Sequence, residues 1–158
     1  MTGVQACALP ILSWTCASPF DSVYIGGGTP WSLALGALET IFAALFEALP
    51  IAADCTVTLE TNPEDVTGAS LAAWRDLGIT RLSLGVQSFD DDALALLRRT
   101  HTSEEAIASV GAAPEAAFAV VSLDLLYGVP GPPAKRGRAT LPHAVRPQPH
   151  HRSCPHPP

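Results

Sequence analysis

Cysteine is scarce in this 158-residue sequence and badly spaced for holding a metal. Its four copies, Cys7, Cys16, Cys55 and Cys154, never stand two or three residues apart. That spacing excludes a CxxC or CxxxCxxC ligand cluster and argues against a disulfide framework. The plain reading of all four is structural thiols. Long apolar runs are missing too, and none approaches the roughly 18–20 residues of a membrane span. The first residues carry no basic stretch of the kind secretory signals have, so the cytoplasm is the default expectation. Basic residues are few in the body of the chain: only Arg75, Arg81, Arg98 and Arg99 precede Gly131. All fifteen Asp and Glu lie between Asp21 and Asp124, and the net charge is −6. An acidic body of this kind excludes nucleic acid as a direct partner, because phosphate contacts need clustered Lys and Arg.

What is there divides into three. Residues 1–20 have little charge and no periodicity. Their start, Thr2 to Ile11, resembles a translated library adaptor, so a non-native or disordered leader is expected. Residues 132–158 hold eight of the fifteen prolines, five of the nine basic residues and four of the five His. With no periodic apolar face, that segment cannot offset its ordering entropy and is expected to be a disordered tail. It has the composition that a GC-rich gene gives when read in the wrong frame. A metal site built from its His143, His150, His151, His156 and Cys154 is the weaker alternative.

Residues 21–131 carry a regular alternation. Ser22 to Ile25 reads as a strand closed by Gly26, Gly27 and Gly28. Leu35, Leu38, Ile41, Phe42, Leu45, Phe46 and Leu49 then recur at three- and four-residue spacing, which predicts an amphipathic helix stopped by Pro50. Thr56 to Glu60 is a second strand, and Ser70 is the predicted cap of a helix that ends at Gly78. Thr80 to Gly85 is the third strand. Asp90 to Asp92 are assigned to capping the helix that follows, and Thr102 with Glu105 to a capping box on the next. Gly111 and Pro114 are expected to interrupt that last helix. Ala119 to Leu126 is the fourth strand, while Trp74 and Phe89 are assigned to the core. Strand and helix alternating four times predict an α/β fold with a parallel sheet, either doubly wound or part of a (β/α) barrel.

Each predicted strand delivers polar groups at its C-terminal end, the edge where parallel α/β folds bind ligands. The four ends are Gly26 to Pro30, Glu60 to Pro63, Gly85 to Phe89 and Asp124 to Pro130. Three glycines leave the main chain bare to a ligand. Glu60 is an acceptor for an ammonium or a ribose hydroxyl, Gln87 offers both donors and an acceptor, and Arg99 can pair with a carboxylate. Asp124, inside an apolar strand, requires a partner. Plainer readings stand beside these: a tight turn at the glycines, a solvated loop at Glu60, a helix-dipole complement at Arg98 and Arg99, and a cap on a buried backbone group at Asp124. The glycines match neither a P-loop nor the dinucleotide GxGxxG spacing.

Four stretches, Val23 to Pro30 (VYIGGGTP), Thr58 to Val66 (TLETNPEDV), Arg81 to Phe89 (RLSLGVQSF) and Ser122 to Gly131 (SLDLLYGVPG), together resemble the radical-SAM family of the coproporphyrinogen dehydrogenase HemN and the haem chaperone HemW. Gln87 to Phe89 followed by Arg99, Thr100 and His101 is more similar to the HemW type. The resemblance implies a partial (β/α)6 TIM-like barrel, of which about four β/α units are present, with S-adenosylmethionine (SAM) and a [4Fe–4S] cluster as cofactors. It implies that Gly27, Gly28 and Thr29 meet the SAM amino group, that Glu60 meets its polar end, and that Gln87, Arg99 and Asp124 complete the site. It also implies either oxidative decarboxylation of coproporphyrinogen or, for the HemW type, binding of haem and its transfer to an acceptor protein. The family's CxxxCxxC loop is absent from this sequence, so the chain by itself is expected to do no radical chemistry. Two other readings remain open: a haem- or nucleotide-binding module that works without a cluster, and a chain that is not a working protein.

Overall fold

The computed structural model describes residues 18–27, 35–126, 128, 129 and 151–153. The first strand, β1 (Phe20–Ile25), leads to helix α1 (Leu35–Ala48), whose Leu38 and Phe42 are buried. The helix stops just before Pro50, which has no amide hydrogen to continue the ladder. Strand β2 (Ile51–Thr61) follows, then a single 3-10 turn at Pro63–Asp65 and helix α2 (Gly68–Asp76). Strand β3 (Arg81–Gln87), the short helix α3 (Asp91–Leu96), helix α4 (Ser103–Glu115) and strand β4 (Val120–Leu125) complete the alternation.

The caps show why the helices start where they do. Asp90 accepts the Ala93 amide at 2.9 Å, and Thr102 and Glu105 form the expected reciprocal box at the start of α4. At α2 the expectation is corrected: the cap is Thr67, and Ser70 sits three residues in. Ser70 accepts the Thr67 amide at 2.8 Å and donates to the Asp65 carbonyl at 2.7 Å, playing the part Glu or Gln usually plays in such a box. Gly78, at φ +86°, closes the helix as expected. Asp91 and Asp92 lie in the first turn of α3 as expected, and Asp91 also accepts the Ser103 amide at the start of α4 at 2.7 Å. The expected break at Gly111 and Pro114 is also corrected, because α4 runs through both to Glu115. Pro114 lies in the final turn, where its missing amide costs one hydrogen bond and no following turn is lost.

The strands pair in parallel in the order β1-β2-β3-β4-β5, each beside its successor in sequence. A doubly wound sheet needs a point where this order reverses, and none exists among the described strands. The order is that of a (β/α) barrel arc, as the partial-barrel reading expects. The last strand, β5 (His151–Ser153), falls inside the tail expected to be disordered, a departure at these three residues: their backbone pairs with Ser122, Leu123 and Asp124. The leader up to residue 17, and the tail apart from β5, lie outside the described residues.

The two faces of the sheet differ sharply. Val57 and Leu59, then Leu82, Leu84 and Val86, then Val121, Leu123 and Leu125 point one way and are buried with Phe42, Trp74, Phe89, Val110 and Phe118. Trp74 and Phe89 are core residues, as expected. The alternate positions, Tyr24, Thr58, Glu60, Arg81, Ser83, Gln87, Ser122 and Asp124, are polar. A closed barrel normally fills that inner face with branched apolar side chains. Here it is lined with hydrogen-bonding groups, so it is built for something other than packing.

Candidate functional site

Polar groups from all four strand ends meet in a cavity of about 260 Å³, lined by Gly27, Glu60, Thr61, Asn62, Ser83, Gly85, Gln87, Arg99 and Asp124. Five of the residues singled out in the sequence, Gly27, Glu60, Gln87, Arg99 and Asp124, stand on its wall. Gly28 and Thr29 lie outside the described residues.

Each group is held for a local reason. Gly27, at φ +89°, turns its amide onto Glu60 Oε2 at 3.0 Å. Such a backbone suits glycine and strains other residues. The Tyr24 hydroxyl donates to the other oxygen, Glu60 Oε1, at 2.5 Å. Burial first, then the Glu60 hydrogen bond and charge, push the Tyr24 phenol up to about 12, which keeps it a donor. Each carboxylate oxygen of Glu60 therefore keeps a lone pair for a ligand. Ser83 donates to Asp124 Oδ2 at 3.1 Å, supplying a partner that an acid in an apolar strand requires.

At the end of β3 the ladder with β4 shifts register between Leu84 and Gln87, and Gln87 has φ +64°. Irregularities of this kind re-aim side chains at sites, and here the residue lines the cavity. Arg99 follows α3 rather than ending it. Its Nη2 donates to Asn62 Oδ1 and, at 3.1 Å, to the Gly85 carbonyl. A side chain on Gly85 would press within 2.9 Å of Asn62 Oδ1, so the bare backbone is what lets the guanidinium in. The buried Arg99 Nε makes no hydrogen bond among the described residues, leaving donor capacity in the wall.

Sequence reasoning missed Tyr24, Asn62 and Ser83. For Asn62 and Ser83 the available signal was parity with Glu60, two residues along the chain for the first and directly across the ladder for the second; Tyr24, which pairs with Thr58, had no such signal. Ser83 pairs with Glu60 in the β2–β3 register.

A larger cavity, about 470 Å³, opens at the opposite ends of the strands between α1, β2 and α2. Its wall is mostly apolar, with Phe42, Ala43, Phe46, Cys55, Val57 and Leu77, and carries Glu39, Asp76 and Thr80 as its polar members. In barrels the N-terminal end serves stability and the C-terminal end chemistry, so the smaller, polar cavity is the candidate site.

Its donor set, two carboxylates facing a guanidinium and an amide, fits a zwitterionic ligand with hydroxyls, as SAM is. An iron–sulfur cluster is not matched by the described residues: no group of three His, Cys, Asp or Glu there could hold a metal. Cys55 lines the other cavity, and Cys7, Cys16 and Cys154 lie outside the described residues. No helix among the described residues is long and apolar enough to cross a membrane.

Comparison with known proteins adds the family. The radical SAM superfamily model matches residues 15–140. The mitochondrial radical S-adenosyl methionine domain-containing protein 1 of Bos taurus is 40% identical over 110 residues, covering 70% of this chain and 25% of that protein. The haem chaperone HemW of Synechocystis is 36% identical over 136 residues, covering 86% of this chain and 33% of that one. Among solved structures, coproporphyrinogen III oxidase (HemN) from Escherichia coli superposes with a TM-score of 0.79 at 28% identity, over 86% of this chain and 31% of the other. This chain thus spans a quarter to a third of the length of these proteins. With the sheet order, the strand-end cavity and these matches together, the chain belongs to the radical SAM superfamily, among its HemN/HemW-like members.

Proposed function

We propose that the strand-end cavity holds the polar end of SAM, and that the protein of which this chain is part handles haem in the manner of HemW. The carrying observation is the gathering of Gly27, Glu60, Gln87, Arg99 and Asp124 around one polar cavity. Gly28 and Thr29 are included in the proposed site on the resemblance alone. In this assignment Glu60 and the glycine backbone take the ligand's ammonium, Asp124 and Gln87 its hydroxyls, and Arg99 its carboxylate. When bound, and given an electron from an iron–sulfur cluster, SAM would supply a carbon-centred radical by cleavage of its sulfonium bond; the residues of this cavity would hold and orient it. Tyr24 and Ser83 hold the two acids in place, and the apolar strand face keeps water from the other side. Ligand pockets commonly run from about 300 Å³ upward, so this cavity suits one end of SAM rather than all of it.

Calorimetric titration of SAM into the chain tests the site. The unmodified chain binds, and Glu60→Gln or Arg99→Met raises the dissociation constant roughly tenfold to a hundredfold, the usual worth of a hydrogen bond to a charged group. Variants that bind as well as the unmodified chain end the assignment.

A second reading, oxidative decarboxylation of the HemN type, is favoured by the 0.79 superposition on coproporphyrinogen III oxidase. Haem titration separates the two: a stoichiometric spectral shift supports haem handling, and its absence in the full-length protein supports the oxidase. Reconstitution with iron and sulfide addresses the cluster. A brown product from this chain would mean that residues outside the described ones supply ligands.

A further inference from the structure

The tripeptide Arg99-Thr100-His101 has only its first member at the cavity, yet all three side chains tie strand ends together. Arg99 reaches Asn62 past β2 and the Gly85 carbonyl in β3. Thr100 donates to Glu64 Oε1 at 2.5 Å. His101, 3% exposed, sets Nδ1 at 3.0 Å from Glu64 Oε2 and Nε2 at 3.0 Å from the Val86 carbonyl. Glu64 lies in the 3-10 turn two residues after Asn62, and Val86 immediately precedes Gln87. The imidazole is therefore a brace between the loop that carries Asn62 and the strand end that carries Gln87.

We propose that His101 is a positioning residue: a buried, two-ended hydrogen-bond donor that locks the ends of β2 and β3 in register and so fixes Asn62, Gln87 and Arg99 at the cavity. A carbonyl only accepts, so Nε2 must carry a hydrogen. A carboxylate also only accepts. Burial works to raise the Glu64 carboxyl, while hydrogen bonds donated by Thr100 and by its own backbone, neither of which depends on His101, pull it down. Nδ1 then carries a hydrogen as well. Arg99 also spans the two strand ends, at Asn62 and Gly85, but its guanidinium lies in the cavity wall, whereas the His101 ring joins Glu64 to Val86 outside it. Gln87 sits at φ +64°, a conformation that persists only where the surroundings enforce it, and Val86 beside it is the held residue.

The brace itself is read without any ligand; its effect on affinity rests on the SAM assignment above. The test is nuclear magnetic resonance on the full 158-residue chain with labelled histidine, arginine and glutamine nitrogens, comparing His101→Gln and Glu64→Gln. The unmodified chain should show slowly exchanging ring hydrogens on both nitrogens of His101. In Glu64→Gln the Nδ1 hydrogen should exchange rapidly while the Nε2 hydrogen stays protected. Both variants should shift the Arg99 and Gln87 side-chain signals and raise the SAM dissociation constant about tenfold, the worth of one hydrogen bond in positioning. A ring protonated on one nitrogen only, or variants that leave the Arg99 and Gln87 signals in place, overturns the proposal. If His101→Gln fails to fold, Glu64→Gln, which leaves the buried ring in place, decides alone. If SAM does not bind even the unmodified chain, the SAM assignment falls, and the ring, Arg99 and Gln87 signals still decide the brace.

Discussion

Glu60 receives hydrogens from Tyr24 and Gly27, which makes its carboxylate position depend on a residue with no side chain, Gly26. A methyl group there would stand 2.7 Å from Glu60 Oε2 and 2.6 Å from Tyr24 Cε1. Both are outer atoms of side chains that can rotate away, so Gly26→Ala is expected to keep the fold while displacing the acceptor. Calorimetry should show SAM affinity falling at least about tenfold, with a change in folding stability of no more than about 1 kcal/mol. Equal loss of both would mean that Gly26 serves the fold instead. The Tyr24 phenol gives a second, pH-based prediction. Its ordinary value is near 10 and the folded chain pushes it up to about 12. Between those values an unfolded chain has released the proton that the folded one keeps, so stability falls as pH rises through that window. An ultraviolet phenolate titration should find Tyr24 ionising near the upper limit, with that step gone in Tyr24→Phe. Ionisation near 10 would show that neither burial nor the Glu60 contact holds the Tyr24 proton. Tyr24 was not legible, because an aromatic in a strand reads as core, whereas Ser83 and Asn62 could be reached only through their parity with Glu60. Glu60 and Asp124 could be read because a charge interrupting a strand has to be explained.

Helix starts were legible wherever a side chain and its target amide lie three residues apart. Asp90 and Thr102 meet that condition with strong capping residues. Thr102→Ala should therefore cost about 1 kcal/mol, seen as a lower urea midpoint with an unchanged slope. A change in slope instead would point to an altered unfolded state. The misplaced cap at α2 has the same origin: Thr67 and Ser70 are both good caps, each accepts the other's amide, and sequence alone does not say which of the two begins the helix. Reading Gly111 and Pro114 as a break failed because helix-breaking residues matter by position. In the last turn of a helix whose Ala106, Val110 and Ala113 are buried, packing outweighs local preference. Parity along β2 could be read from its alternation, but the irregularity before Gln87 could not, since a register shift leaves no mark in residue type.

At the scale of the molecule, periodicity predicted parallel strands but could not order them, because strand order is set by which crossovers pack together. The observed sequence of neighbours resolves that choice in favour of a barrel arc. An arc has margins: β1 has a partner on one side only among the described residues. Separately, α1 presents Phe46 at 44% exposure, stacked on the buried Phe42 with ring centroids 6.2 Å apart, on the wall of the larger cavity. Ile41 on the same helix is 43% exposed. Covering such surface is worth roughly 25 cal/mol per Å², so at raised concentration the chain is expected to associate with itself. Size-exclusion chromatography across a dilution series should show the eluting species growing with concentration. Phe46→Glu should shift that growth to higher concentration, because it places a charge on the stacked ring's site while Phe42 stays buried beneath. A chain that elutes as one monomeric species throughout, with Phe46→Glu indistinguishable from it, would show that neither the open strand margin nor the α1 face is exposed enough to drive association.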